Sequence, residues 1–234
     1  MTGLYDMHCH IVPSVDDGSD SLDESRQLLQ LEYDQGVRNI IITPHFRLNM
    51  FETPLEKVRA QFDLLREPAE EIGIRIWLGC EFHSTMEMAN LLKSRKVTTM
   101  AGSRYVLLEF SGGDEKSKIR ERTNTLISLG YKPVLAHIER YEACRDLSFV
   151  EDLVDLGAKI QINADSVCGI DGWNMKRYCK KLMKEDLVTF IGSDCHGIKE
   201  RRPHMDKAYA YVARKFGEAY ANTIFIKNPE KILK

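Results

Sequence analysis

Short apolar runs alternate along this chain with longer segments in which apolar residues return every three or four positions. The short runs, at residues 4–8, 39–43, 74–79, 105–110, 133–137, 159–163 and 187–193, read as strands, and a final apolar stretch covers 222–226. They are apolar without polar alternation, which suits strands buried on both faces of a parallel sheet. Between the first two lies an amphipathic segment, 21–35, whose apolar face includes Leu22, Leu28, Leu29 and Tyr33. Ser21 followed three residues on by Glu24 predicts a capping box at its start, and Gly36 predicts its end. Residues 52–73 predict a second helix, with Pro68 as an internal break or kink. No repeat, low-complexity tract or linker interrupts the alternation, so residues 1–234 are expected to form a single domain. Strand–helix alternation of this kind predicts a (β/α) barrel of about seven or eight units, with a doubly wound open sheet as the alternative.

Bulk composition narrows the partners. The 234 residues are 43% hydrophobic, enough for a sizeable core, and 33 basic residues face 35 acidic ones for a net charge of −2. That balance gives no electrostatic reason to expect nucleic acid or an anionic membrane. No apolar run approaches the ~20 residues that span a bilayer, and no secretory signal is visible, so a cytoplasmic protein without membrane insertion is expected. The six cysteines (Cys9, Cys80, Cys144, Cys168, Cys179, Cys195) contain no C-x-x-C pair and are expected to be reduced thiols.

The ionisable residues add chemistry to this frame. His8 and His10, separated by one residue, end the first run, and strand period two puts both on one face, as two ligands of one metal would require. His45 follows the second run, Glu81 the third, Glu109 ends the fourth and His137 the fifth; Asp194 and His196, again one residue apart, follow the last. A lone histidine at a strand end is more often a hydrogen-bonded core residue, and a lone carboxylate there often caps a helix. The joint pattern is different, because the carboxyl ends of parallel strands are where α/β proteins build their sites. Mixed imidazole and carboxylate ligands suit Mn²⁺, Fe or Zn²⁺. More candidates than one tetrahedral site can use implies at least two metals, about 3.5–4 Å apart if carboxylates bridge them.

The segments DMHCHIVPSVDDG (6–18), TPH (43–45), MFETPLEKV (50–58), GCEFH (79–83), YVLLEF (105–110), AHIERY (136–141), GSDCH (192–196) and RRPHM (201–205) carry a resemblance. Over essentially its whole length the chain resembles the bacterial PHP-superfamily protein-tyrosine phosphatases, the manganese-dependent enzymes of capsule and exopolysaccharide operons. The H-x-H start is common to many metal-dependent hydrolases, whereas HIERY together with MFETP is far more specific. The resemblance implies a distorted (β/α)7 TIM-like barrel, the PHP fold, with three divalent ions, Mn²⁺ first and Fe or Zn as options. It implies one metal held by His8, His10, Glu81 and Asp194, a second shared through Glu81 and completed by Glu109 and His137, and a third held by Asp17, His45 and His196. Spacing alone does not choose between Asp16 and Asp17; the D-D-G pattern of the family favours Asp17.

The chemistry so implied is hydrolysis of phosphotyrosine on a protein by attack of a metal-bound hydroxide, with no covalent phospho-enzyme. Arg140 and Arg201 match positions that the family uses for the phosphoryl group, guanidinium being suited to bidentate contacts with its oxygens, and Arg202 is an alternative to Arg201. The implied partner is a membrane-associated tyrosine autokinase controlling capsule or exopolysaccharide synthesis. A small-molecule phosphatase such as a histidinol-phosphate phosphatase is the alternative within the superfamily, and a non-catalytic phosphotyrosine-binding regulator the alternative outside it. Cys195 and Arg201 also satisfy the C-x5-R spacing of cysteine-dependent tyrosine phosphatases. Ile198, Lys199 and Glu200 stand where that loop needs small residues, so Cys195 is expected to pack behind the ligands. His83 and His204 are left outside the set.

Overall fold

In the computed structural model, which describes residues 3–234, the apolar runs form parallel strands joined by helices. They are β1 (Leu4–Asp6), β2 (Val37–Ile42), β3 (His45–Phe46), β4 (Arg75–Leu78), β5 (Glu81–His83), β6 (Tyr105–Glu109), β7 (Lys132–Leu135), β8 (Lys159–Asn163) and β9 (Phe190–Gly192). β3 resumes the line of β2 after Thr43 and Pro44, and β5 resumes that of β4 after Gly79 and Cys80. One hydrogen-bonded run is β1-β2-β4 and the other β3-β5-β6-β7-β8-β9. Past the ends of β1 and β9, Cys9 and Cys195 form a parallel bridge. His10 N–H donates to the Cys195 carbonyl at 2.9 Å and Asp194 N–H to that of His8 at 2.7 Å. The sheet therefore curls round on itself as a distorted barrel with seven strand positions, in agreement with the expected class and not with an open sheet.

Strand alternation sorts the apolar residues into two layers. Val106 and Leu108 of β6 and Leu135 of β7 point outward into the large core shared with the helices. Ile41, Leu107, Val134 and Phe190 point inward, where Met7, Met100 and Ile232 complete the filling of the barrel's lower half. A packed floor of this kind leaves the upper mouth, at the carboxyl ends of the strands, as the place for a site.

The first helix, α1 (Leu22–Asp34), begins as predicted. Ser21 Oγ accepts the Glu24 N–H at 3.2 Å, a cap worth about 1 kcal/mol. Glu24 reaches back one residue further than a standard box, accepting from Asp20 N–H at 3.0 Å. Gly36, at φ +90°, ends the segment. The 52–73 segment is two helices, α2 (Leu55–Asp63) and α3 (Arg66–Ile72). The break falls at Leu64–Leu65, ahead of Pro68, because a proline ring displaces the carbonyl four residues earlier while sitting comfortably in a first turn. The final apolar stretch is helical, within a wide turn over Thr223–Lys227, and Ile224 and Phe225 pack there against the core.

Candidate metal centre

Strand phase delivers several of the candidate ligands directly. Glu109 lies two residues beyond inward-facing Leu107, His45 four beyond Ile41, and Asp194 four beyond Phe190, so each turns toward the barrel axis above the apolar floor. His137 is three residues beyond Val134 and out of phase; it enters the site through a left-handed backbone at φ 31°. Asp194 (φ 54°) and Arg201 (φ 49°) share that sparsely populated region. Three such residues at one site mark conformations that the surrounding structure has to enforce.

All nine candidate ligands meet there. His8 and His10 bring their Nε2 atoms to 3.3 Å of each other and to 3.1 and 3.2 Å of Glu81 Oε2, with Asp194 Oδ1 at 3.5 Å from both. His45 Nδ1 is 3.0 Å from the same Glu81 oxygen. The other Glu81 oxygen is 2.8 Å from His137 Nε2, which lies 3.9 Å from Glu109 Oε1. Asp17 Oδ1 lies 3.5 Å from His45 Nε2 and 3.6 Å from His196 Nε2. Donor atoms fall into groups that could each hold an ion: His8, His10, Glu81 and Asp194; His10, Asp17, His45 and His196; and His45, Glu81 and Glu109. Glu81 Oε2, Glu109 Oε2, His137 Nδ1 and His196 Nε2 are buried with no hydrogen-bond partner among the described residues. Buried polar atoms left unsatisfied are costly in a protein interior, and divalent cations held among such donors relieve that cost. The donor set therefore fits a multinuclear centre of imidazole and carboxylate ligands.

A second layer aims these groups. Asp16 Oδ2 accepts from His10 Nδ1 and from the His45 N–H, both at 2.8 Å, and its Oδ1 from the Gly18 N–H at 3.0 Å. Asp16 thus stands behind His10 while Asp17 faces the cluster, which separates two neighbours that spacing could not. Gln161 Oε1 lies 3.2 Å from His8 Nδ1 and accepts the His137 N–H at 2.7 Å. Asn163 Nδ2 donates to Asp194 Oδ2 at 2.8 Å, and the Asp194 carbonyl meets His196 Nδ1 at 2.9 Å. Partners of this type fix the tautomer and direction of a ligating imidazole. Gln161 and Asn163 were not singled out from the sequence. Their signal was present in β8, where they alternate with Ile160 and Ile162 and so face inward.

The charges are mutually supporting. Burial alone would raise Glu81, but His8, His45, His10 and His137 hold it well below the ordinary carboxylate range. Burial opposes Asp194 in the same way and is outweighed by His8, His10 and Arg140. Glu109 has less compensation: burial and the Glu81 charge push it up to about 7, against the pull of His137, His8 and Arg47. Burial also lowers His45, to about 4, and His196, to about 2, leaving both as neutral imidazoles. For His10 burial works downward, yet Asp16, Asp194 and Glu81 raise it well above its ordinary value.

Above the cluster opens a cavity of about 260 Å³, lined by ligand side chains together with Arg47, Met50, Phe51, Arg140 and Arg201. Arg140 donates to Asp194 Oδ2 at 2.8 Å, and Arg201 lies 3.1 Å from both oxygens of the same carboxylate. Of the two neighbours, Arg201 lines this cavity and Arg202 does not. Phe51, inside the MFETP segment, stacks on His45 with ring centres 5.1 Å apart and planes 11° from parallel. Cys195 is buried, its sulfur 3.8 Å from Glu32 Oε1, and it does not line the cavity. His83 lies 3.2 Å from the Ser111 hydroxyl, and His204 pairs with Asp165 at 2.8 Å outside the cluster.

Comparison with known proteins agrees with this geometry. The family model described as capsular polysaccharide synthesis, CpsB/CapC, matches residues 4–234. A tyrosine-protein phosphatase CpsB of Streptococcus pneumoniae is 38% identical over 238 residues, covering 98% of this chain and 98% of its own. The tyrosine-protein phosphatase YwqE of Bacillus subtilis is 31% identical over 217 residues, covering 92% of this chain and 85% of its own. One of the crystal structures of YwqE and CpsB, described as unique metal-dependent tyrosine phosphatases, superposes with a TM-score of 0.92 at 30% identity. That match covers 98% of this chain and 94% of the other.

Proposed function

This chain belongs to the CpsB/CapC family of capsular polysaccharide synthesis proteins and is a metal-dependent tyrosine-protein phosphatase; from that premise we propose how its residues divide the work. One divalent ion would be held by His8, His10, Glu81 and Asp194. Glu81, Glu109 and His137 would hold a second, and Asp17, His45 and His196 a third. Manganese is the proposed metal, with Fe or Zn²⁺ compatible with the same donors. Such ions supply an activated water near neutral pH and neutralise charge that develops on the phosphoryl group.

The chain's own residues do the rest. Arg140 and Arg201 both lie on Asp194 at the cavity wall, where two guanidinium groups can turn to grip a phosphoryl dianion bidentately. Gln161, Asp16 and Asn163 keep the imidazoles and Asp194 aimed at the centre. The substrate is phosphotyrosine on a protein, and the proposed partner is a tyrosine autokinase of polysaccharide export, met in the cytoplasm. Among the described residues no helix is long and apolar enough to cross a membrane. The observation that carries this reading is the convergence of all nine candidate ligands beneath a cavity with two arginines on its wall.

The test is hydrolysis of a phosphotyrosyl peptide by protein stripped of metal and then reloaded with Mn²⁺, beside histidinol phosphate as competitor substrate. Restored turnover with strong preference for the peptide supports the reading. No turnover with any divalent ion, or preference for histidinol phosphate, overturns it.

A further inference from the structure

A tyrosine phosphatase has to release a phenolate, and the groups around this cavity restrict how it can do so. The leaving oxygen of tyrosine has a pKa near 10, well below that of an alkyl alcohol, so it can depart with its charge stabilised in place of being protonated. Of the residues that line the cavity, Asp17, His45, Glu81, Glu109, His137 and Asp194 are already spoken for as ligands. Arg140 and Arg201 are both engaged with Asp194. No carboxyl or imidazole remains to serve as a proton donor. Arg47 remains, and among the described residues its guanidinium makes no ion pair and no side-chain hydrogen bond.

Its position is set by a tight turn. Arg47 and Phe51 pair backbone to backbone in both directions, at 2.9 and 2.8 Å, around Asn49 in a left-handed conformation. The turn holds Arg47 and Phe51 on the cavity wall next to largely exposed Met50. It follows β3, three strand positions round the barrel from β7, which Arg140 follows, and two from β9, which Arg201 follows, so Arg47 reaches the mouth from a separate strand end.

Resting on the phosphatase reading above, we propose that the Arg47–Phe51 turn is the leaving-group side of the site. Phe51 and Met50 receive the aryl ring, and Arg47 stabilises the departing phenolate oxygen. In the step itself, a hydroxide oxygen forms the new bond to phosphorus. The bond from phosphorus to the phenolic oxygen breaks, and its electron pair stays on that oxygen. Phenolate and hydrogen phosphate are released, and the phenolate takes its proton from water. An arginine can stabilise that charge but cannot protonate it, which ties the enzyme to aryl esters and leaves alkyl esters, whose alkoxides need a proton, as poor substrates.

The experiment compares Mn²⁺-loaded wild type, Arg47→Met and Arg47→Lys on a series of substituted phenyl phosphates, with metal content measured on each protein. Arg47→Met is expected to lower kcat/KM by about tenfold or more for phenyl phosphate and far less for p-nitrophenyl phosphate, steepening the dependence on leaving-group pKa. Arg47→Lys, which keeps the charge, is expected to retain the wild-type slope. Equal losses across the series, no loss, or a lysine variant as steep as the methionine one would overturn the proposal. A wild type inactive on every ester would instead overturn the phosphatase reading itself.

Discussion

Replacing Gln161 with leucine isolates the role of the layer behind the metal ligands, because the glutamine touches no substrate and is not itself a candidate ligand. Its Oε1 serves two ligands at once, His8 through Nδ1 at 3.2 Å and His137 through the backbone N–H at 2.7 Å. Its Nε2 donates to the Ile162 carbonyl at 2.8 Å and to Asn163 Oδ1 at 2.9 Å. Leucine is of similar size, so the barrel stays filled while all four contacts disappear. The orphaned His137 N–H alone costs about 1–3 kcal/mol of stability, being buried without another partner. The loss of orientation at His8 and His137 should weaken metal binding or turnover by about 10–100-fold, the usual effect of removing a partner that holds a ligating imidazole. Metal titration by calorimetry, with thermal unfolding of the stripped protein alongside, separates the two effects. A Gln161→Leu protein that binds Mn²⁺ as tightly as wild type and turns over equally fast would refute this account of how the imidazoles are aimed.

Two further outcomes follow from the same geometry. Cys195→Ser should keep its metal and most of its turnover on p-nitrophenyl phosphate, since the thiol is buried away from the cavity; lost activity with intact metal content would revive a thiol mechanism. Saturating metal at about 100 times its Kd should stabilise the fold by about 2.7 kcal/mol. For a domain of this size that is a rise in Tm of roughly 5–10 °C. The gain should shrink as pH falls, because His10, raised well above its ordinary value behind burial by Asp16, Asp194 and Glu81, must give up its proton before it can ligate. A Tm indifferent to metal and pH would contradict it.

Much of this was legible in the sequence because the barrel writes its phase into it. Seven apolar runs marked seven strand positions, and ligands two or four residues beyond an inward apolar residue, such as Glu109 and Asp194, follow from alternation alone. What escaped was set by backbone detail and by contact between distant segments. His137 is out of phase with its strand and is recovered only by a left-handed residue. Asp16 and Asp17 are equivalent by spacing, and the difference lies in Asp16 reaching both His10 and the His45 N–H across the barrel mouth. Pro68 was legible as a break, but its place in a first turn moved the break to Leu64–Leu65. Gln161 and Asn163 sat inside a run that was read as uniformly apolar, where a polar residue every second position was the sign of an inward-facing layer.

The same details explain why the centre is built on a closed barrel. Four carboxylates and five imidazoles crowd one mouth, several with buried atoms that find no partner, and three site residues hold backbone conformations that ordinary side chains avoid. Each feature is unfavourable taken alone. The loops that carry them are short continuations of strands already locked by their neighbours, and the ends of β1 and β9 are tied by the hydrogen bonds between His8, His10, Asp194 and Cys195. Ligands from the first and last strands are thereby fixed to one another through the closure itself. An open sheet would leave His8 and Asp194 on opposite edges, and the four-residue group they share could not assemble. Closure is thus the step that turns a row of strand-end residues into a centre able to hold several metals.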